Sequence, residues 1–267
     1  MFYFYIPFYI YNLTYMRGIF LHTLYSARRD KFMFGLLLGM IFASLIGAFL
    51  GSTSLVEPAQ MRVVYTCATC RFIIMIGMMV FISFHIKRLF ENKEMDVFLS
   101  RVPSRSSIVL SFIASFVLIS FAIIAQSVII VSIIYMQDIV NILVWGFSLM
   151  LEAIIVVSIA TFLSIVIRSS TLGLLLSFAT YFLSRVVGNF IAYINLSGAK
   201  FSLNSITEVL LKILSIVIPR LDLFGKSDFI VYGSYSGSIF VTLISQAIIY
   251  SLLITTLTIM DMRKREF

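Results

Sequence analysis

Residue types that commonly carry chemistry are few in this chain of 267 residues. Cys67 and Cys70 form a C-x-x-C motif, but a redox motif of this type expects a strand–helix–strand setting, and a zinc site expects a second cysteine pair. The chain has only these two cysteines. Because helical spacing places them on one face, we interpret them as small packing residues; a disulfide or redox role is the alternative.

No catalytic set is recognisable elsewhere in the sequence. His22 and His85 are far apart in the chain, and no nucleophile, zinc-ligand pair or carboxylate pair accompanies either of them. Gly225-Lys226-Ser227 matches the end of a phosphate-binding loop, but Arg220 occupies the position where that motif requires its first glycine. We therefore interpret Gly225 as a turn glycine and disfavour an enzyme.

Three charged residues interrupt apolar stretches: Arg71, Glu152 and Arg185. Charges inside a membrane are costly, so they are usually paired or functional. Arg71 lies near the end of its stretch and can extend its side chain to the interface, whereas Glu152 and Arg185 both lie roughly 14–15 Å inside theirs. Equal depth on consecutive helices predicts an ion pair, either as a structural lock or as a substrate-facing group.

A third feature is the charged stretch from Glu91 to Arg105, which lies between two long apolar runs and holds six charges in fifteen residues. Its charges are mixed in sign and are interrupted by three apolar residues. Apolar side chains surrounded by charges are typical of a docking surface, with burial supplied by the former and orientation by the latter. Either Ser104 or Ser106 can cap the following helix. The candidate docking residues are Glu91, Glu94, Asp96, Val97, Phe98, Leu99, Arg101, Ser104 and Arg105.

These residues belong to a chain with the composition of a membrane protein. It is 61% hydrophobic and only 12% charged, against about 25% charged residues in soluble domains. Apolar runs of about twenty residues, each able to cross a bilayer core of about 30 Å, predict an all-α polytopic fold with six transmembrane helices. The predicted spans are 32–50, 66–86, 107–135, 142–167, 172–194 and 239–260, and the third is long enough to require tilt or projection.

The distribution of lysine and arginine predicts the orientation. Thirteen of these residues fall on the side of both termini and five on the other side. Because positive charge is retained in the cytoplasm, both termini of this multi-pass chain are expected there. The expected location, a bacterial plasma (inner) membrane, does not follow from the charge distribution itself. The net charge of +8 is thus a topology signal, and no basic patch with interleaved aromatic residues points to nucleic acid.

Two amphipathic helices are expected outside the spans. Gly18 to Lys31 can form an interfacial helix with Ile19, Phe20, Leu24 and Tyr25 on one face; a frayed lead-in is the alternative. Residues 1–15 are either an over-extended start or an interfacial segment, ahead of a single domain over 16–267. Between spans five and six, apolar residues at helical spacing follow Ser205 and end before Pro219, which predicts a helix on the outer membrane face.

The first span carries a small residue at every fourth position, which lets another helix backbone approach closely. We refer to these residues as the glycine ridge: Gly35, Gly39, Ala43, Gly47 and Gly51.

The segment "ENKEMDVFLSRVPSRSSIVL" resembles the loop after the second span in permease subunits of ABC-2-type ABC transporters. Six positions carry the resemblance: Asp96, Leu99, Ser100, Arg101, Ser104 and Arg105. The amphipathic lead-in, the six spans, a glutamate in span four, the outer helix and a short basic tail extend it over residues 16–267. The loop is the moderately specific part, and the rest is architectural.

The resemblance implies a permease subunit, an exporter in our interpretation, that forms the substrate pathway as a homodimer or heterodimer in the bilayer. Cytoplasmic ATPase subunits would couple to it through residues 87–106 and would carry ATP and magnesium, so no cofactor is expected in this chain. An ATP-independent secondary transporter or channel that uses the intramembrane charges is the alternative, although no internal repeat favours it. Nothing in the sequence selects a substrate.

Overall fold

The computed structural model describes residues 5–53, 57–101, 104–135, 138–167, 169–196, 218–233 and 235–264. Over these ranges the secondary structure is helical without a strand, which confirms the all-α class. The helices are α1 (Tyr5–Arg29), α2 (Lys31–Ser52), α3 (Pro58–Glu91), α4 (Glu94–Arg101), α5 (Arg105–Tyr135), α6 (Ile139–Val166), α7 (Ser170–Leu196), a 3₁₀ turn (Leu221–Leu223), α8 (Asp228–Val231) and α9 (Gly237–Lys264).

Five helices among the described residues are long and apolar enough to cross a membrane: α2 from Met33, α3, α5 as far as Ile133, α6 and α9. The predicted fifth span lies on α7, whose apolar part over Ser170–Val186 is shorter. The chain is therefore consistent with a multi-pass membrane protein, while the sixth crossing stays a prediction. At about 1.5 Å per residue, α3, α5, α6 and α9 all exceed the bilayer core, with α3 and α5 the longest, although the sequence singled out only the span on α5.

α6 is the central helix of the bundle and contacts α3, α5, α7 and α9. Its residues Trp145, Leu149, Val156 and Ala160 recur at helical spacing and are fully or almost fully buried. Glu152 falls within this buried series, halfway along the 28 residues of α6. The apolar pattern that places α6 at the centre thus also places a carboxylate there.

α2 and α3 form an antiparallel hairpin in which small residues permit close contact. A Cβ added at Gly47 would lie 2.5 Å from Thr66 Oγ1, and one at Gly51 would meet the backbone of Arg62. Ala43 is also buried. A Cβ at Gly35 or at Gly39 would have no neighbour within 4 Å among the described residues. The glycine ridge therefore meets α3 closely at Gly47 and Gly51, whereas no neighbouring atom among the described residues approaches its first two glycines.

α1 differs from the predicted interfacial helix. It begins at Tyr5, passes through Met16 without a break and packs against α5. Its buried face consists of Ile19, Thr23 and Ala27, whereas Tyr25 is 68% exposed. The face buried within the bundle thus leaves Tyr25 outside it, and the interfacial position of this helix stays a prediction. The predicted outer helix after Ser205 lies outside the described residues.

Candidate functional site

A cluster of charged groups surrounds the carboxylate of Glu152, which is 0% exposed. Arg185 Nη1 donates a hydrogen bond to Glu152 Oε1 over 2.9 Å, and the hydroxyl of Tyr181 donates to the same oxygen over 3.2 Å. Arg71 Nε lies 3.9 Å from Glu152 Oε2. We call Arg71, Glu152, Tyr181 and Arg185 the buried charge cluster; it joins the three helices α3, α6 and α7.

Local sequence explains how α7 supplies two partners to one carboxylate. Tyr181 and Arg185 are four residues apart, so they lie above one another on the same face of the helix. Both side chains therefore reach Glu152, and the structure brings together the two residues that the sequence predicted to pair. Arg71, expected to reach toward the interface, instead points into the bundle and is almost fully buried.

A turn formed by residues 221–225 completes the cluster with backbone carbonyls. Arg71 Nη1 donates hydrogen bonds to the carbonyls of Phe224 and Gly225 over 3.0 and 2.6 Å. Arg185 Nη1 also donates to the Leu221 carbonyl over 3.3 Å. Because the cluster has two guanidinium groups and one carboxylate, these carbonyl dipoles offset its excess positive charge.

Gly225 permits this turn to approach the cluster. Its φ is +56°, and a Cβ at this position would lie 2.7 Å from Arg71 Cδ and 3.0 Å from Glu152 Oε2. Its amide donates a hydrogen bond to Ser148 Oγ over 2.9 Å, which anchors the turn to α6. The prediction of a turn glycine is confirmed. The preceding element is a 3₁₀ turn rather than a strand, unlike the setting of a phosphate-binding loop.

A cavity of about 260 Å³ adjoins the cluster and is lined by Ala68, Arg71, Arg185 and residues 225–228. Both arginine side chains reach it, so the buried charges are not sealed off from solvent on this side. Among the described residues no group of histidine, cysteine, aspartate and glutamate could hold a metal ion. The arrangement can lock three helices together, and it can present guanidinium groups to an anion entering the cavity.

The second candidate site is the charged stretch, which the structure resolves into a short helix. α3 ends at Glu91, Lys93 adopts a φ of +57°, and α4 then runs from Glu94 to Arg101. Helical spacing turns Met95, Phe98 and Leu99 toward the bundle: Met95 is fully buried, and the Phe98 ring lies 6.3 Å from that of Phe112.

The three apolar residues of the predicted docking surface differ in exposure, and docking itself stays a prediction. Phe98 and Leu99 pack against this chain's own core, because they share a helix face with Met95. Val97 remains 47% exposed, beside the exposed side chains of Asp96 and Ser100. We call these last three residues the outer face of α4.

Four other residues of this stretch make polar contacts. Arg105 Nη1 donates a hydrogen bond to the carbonyl of Met262 over 2.9 Å, which ties the start of α5 to the end of α9. Ser104 immediately precedes α5, in the predicted capping position, with its hydroxyl 2.6 Å from that of Ser107. Glu94 lies 3.8 Å from His22, and Glu91 pairs with Lys87 at 3.5 Å. The side chain of Arg101 lies outside the described residues.

Cys67 and Cys70 are both buried and unbonded to each other. Cys70 Sγ lies 3.8 Å from Ser44 Oγ, across the α2–α3 hairpin. This placement agrees with the interpretation of small packing residues.

Sequence reasoning missed Tyr181, Ser148 and the carbonyls of the turn at 221–225. The spacing of Tyr181, one helical turn before Arg185, could have identified it as a partner. Backbone carbonyls carry no sequence signal, so the role of the turn follows from the structure alone.

No family model matches this chain, and no curated protein matches it.

Proposed function

We propose that this chain is the permease subunit of an ABC-2-type ABC exporter, crossing the membrane six times with both termini in the cytoplasm. Two copies, identical or not, form the substrate pathway in the plasma membrane of a bacterium, and separate cytoplasmic ATPase subunits bind and hydrolyse ATP. This chain contributes the pathway and the docking surface, and it carries no ATP site of its own.

The observation that carries the proposal is α4. It lies between two long apolar helices, at the end of the bundle where Arg88 pairs with Asp30 and where α9 ends in Arg263 and Lys264. By the positive-inside rule this basic end is cytoplasmic. One face of α4 is fixed to the bundle and the other is free, which is the arrangement required of a helix that receives a partner and transmits its movement.

The contacts of this region give a route for that movement. Phe98 connects α4 to α5 through Phe112, and Arg105 connects the start of α5 to the end of α9. A push on the outer face of α4 would therefore reach α5 directly and α9 through α5.

The experiment measures whether the outer face of α4 recruits an ATPase. Asp96→Lys combined with Val97→Ala changes exposed side chains only, so the permease should insert and fold normally. We expect weaker co-purification of the ATPase and lower substrate-stimulated hydrolysis. The ATPase encoded beside this chain, where one exists, is the partner to co-express.

Glu57→Lys provides a matched control, because it makes the same charge change at an exposed position at the other end of α3. Its side chain makes no capping hydrogen bond, so the substitution should leave the helix intact. Phe98→Ala is a poorer probe than the sequence indicated, since Phe98 packs against the core and its loss affects folding as well. If the double variant binds and stimulates the ATPase like the control, the permease proposal loses its main support.

A second candidate, an ATP-independent transporter or channel, is favoured by the buried charge cluster and its adjoining cavity. In that case neutralising Glu152 would abolish transport that proceeds without any ATPase. Transport by the purified chain in liposomes lacking an ATPase would favour this candidate, whereas a strict requirement for the ATPase would exclude it.

A further inference from the structure

A large cavity at the basic end of the bundle has no role in the proposed coupling. Its volume is about 550 Å³, within the usual range for small-ligand sites. It lies between the end of α1, the end of α3 and the start of α4. The side chains with charged or titratable groups that line it are His22, Arg28, Arg29, His85, Arg88 and Glu94, together with Tyr25.

His85 is the first indication that this cavity has an occupant. Its side chain is only 2% exposed, yet among the described residues neither ring nitrogen has a hydrogen-bond partner. The ring is held between Phe81 and Phe116, with centroids 5.6 and 5.7 Å away. A buried polar group without a partner costs free energy, so the imidazole of His85 has hydrogen-bonding capacity that a ligand in the cavity could satisfy.

The charge of the lining is the second indication. Arg88 pairs with Asp30 at 3.2 Å, and Glu94 lies beside His22. Within the described part of the chain, Arg28 and Arg29 form no ion pair with a carboxylate. The cavity therefore has two uncompensated guanidinium groups, which are well suited to bidentate contact with a phosphate group.

The third indication is an apolar groove that shares Arg28 with this cavity. The groove has a volume of about 680 Å³ and is lined mostly by aliphatic side chains from α1, α2 and α5, including Leu24, Leu37 and Ile119. The groove extends from Arg28 to Met33, which is the first residue of the apolar part of α2. In a bilayer this part of the groove would lie where the lipid acyl chains begin.

We propose that the cavity binds the phosphate headgroup of an anionic phospholipid, with an acyl chain of that lipid in the adjoining groove. Arg28 and Arg29 contact the phosphate, and His85 contributes a hydrogen bond from the protein side. Basic pockets between helices on the cytoplasmic side of a membrane are known to hold anionic headgroups. This inference uses the proposed orientation only to assign the cavity to the cytoplasmic leaflet. It does not depend on an ATPase.

The test is native mass spectrometry of the purified full chain with phosphatidylglycerol, phosphatidylcholine or inorganic phosphate. The variants are Arg28→Gln combined with Arg29→Gln, and His85→Phe, which keeps the aromatic packing. Arg17→Gln is the matched control, because Arg17 is exposed on the same helix but does not line the cavity.

We expect wild type and Arg17→Gln to retain phosphatidylglycerol in preference to phosphatidylcholine. An arginine near an anionic surface contributes about a five-fold factor, so the arginine pair should weaken binding about thirty-fold. His85→Phe removes one hydrogen bond to the charged phosphate, so it should weaken phosphatidylglycerol binding roughly ten-fold.

Two results would overturn the proposal. The first is a loss in the double arginine variant no larger than that in Arg17→Gln. The second is binding of inorganic phosphate without any preference between the two lipids, which would mean that the cavity takes a free anion. Arg28 and Arg29 are exposed, so the double variant should fold; if His85→Phe does not, the arginine pair decides the question.

Discussion

The buried charge cluster permits a quantitative test through Glu152→Gln and Arg185→Met, singly and together. Glu152→Gln leaves two buried guanidinium groups facing a neutral amide, and removing one partner of a buried ion pair costs about 3–5 kcal/mol. Arg185→Met leaves Glu152 with Arg71 at 3.9 Å and with the hydroxyl of Tyr181 at 3.2 Å. Its cost should therefore be lower, about 1–3 kcal/mol, the range for leaving a polar group unsatisfied.

The double variant should recover part of the loss, because it removes one charge of each sign. For side chains in contact, coupling energies of about 0.5–3 kcal/mol are typical, and the 2.9 Å contact and complete burial of Glu152 place this pair toward the upper end. The assay is reversible unfolding of the purified protein in mixed micelles, from which the four free energies of unfolding give the coupling.

Lys87 and Glu91 form the matched control pair. They lie 3.5 Å apart at the exposed end of α3, four residues apart on one helix. An exposed pair of this type contributes about 0.3–0.5 kcal/mol. A coupling between Glu152 and Arg185 no larger than that of the control pair would refute the argument that they stabilise the bundle through their contact.

Three further predictions concern the packing of the helices and the orientation of the chain. Gly47→Leu should destabilise the α2–α3 hairpin by about 1–3 kcal/mol through overpacking against Thr66, whereas Gly39→Leu should be nearly neutral, as thermal unfolding would reveal. Gly225→Ala should cost about 1–3 kcal/mol, because its positive φ and its contact with Arg71 exclude a Cβ, and a wild-type melting temperature would contradict this. In a background without native cysteines, an impermeant maleimide added to intact cells should label a cysteine at position 226 but not one at position 93; labelling at 93 would reverse the proposed orientation.

The contrast between Gly47 and Gly39 illustrates where sequence reasoning stops. Their spacing places them eight residues apart on one stripe, so both appear equally suited to packing. The structure separates them, since a Cβ at Gly47 would meet Thr66 of α3, whereas a Cβ at Gly39 would have no neighbour within 4 Å among the described residues. A repeated small residue indicates that a close approach is permitted, but it does not indicate which part of the helix has a neighbour.

α4 illustrates the same limit at a shorter range. The apolar run Val97–Leu99 was visible in the sequence, and its charged surroundings indicated a surface. The helix then turned Phe98 and Leu99 inward and left Val97 outward. Their different environments depend on the direction from which α5 approaches, and three consecutive letters carry no information about that direction.

Hydropathy by itself determined the helical class and most of the segments that are long and apolar enough to cross a membrane, because in lipid an apolar run of about twenty residues satisfies its own backbone groups as a helix. Charge spacing also placed Glu152 and Arg185 at matching depth. Only the tertiary structure decided that Arg71 joins them and that the carbonyls at 221–225 complete the cluster. Hydropathy and helix periodicity are local properties of the chain, whereas these contacts join residues up to 154 positions apart, and their geometry is set by how the helices are rotated against one another.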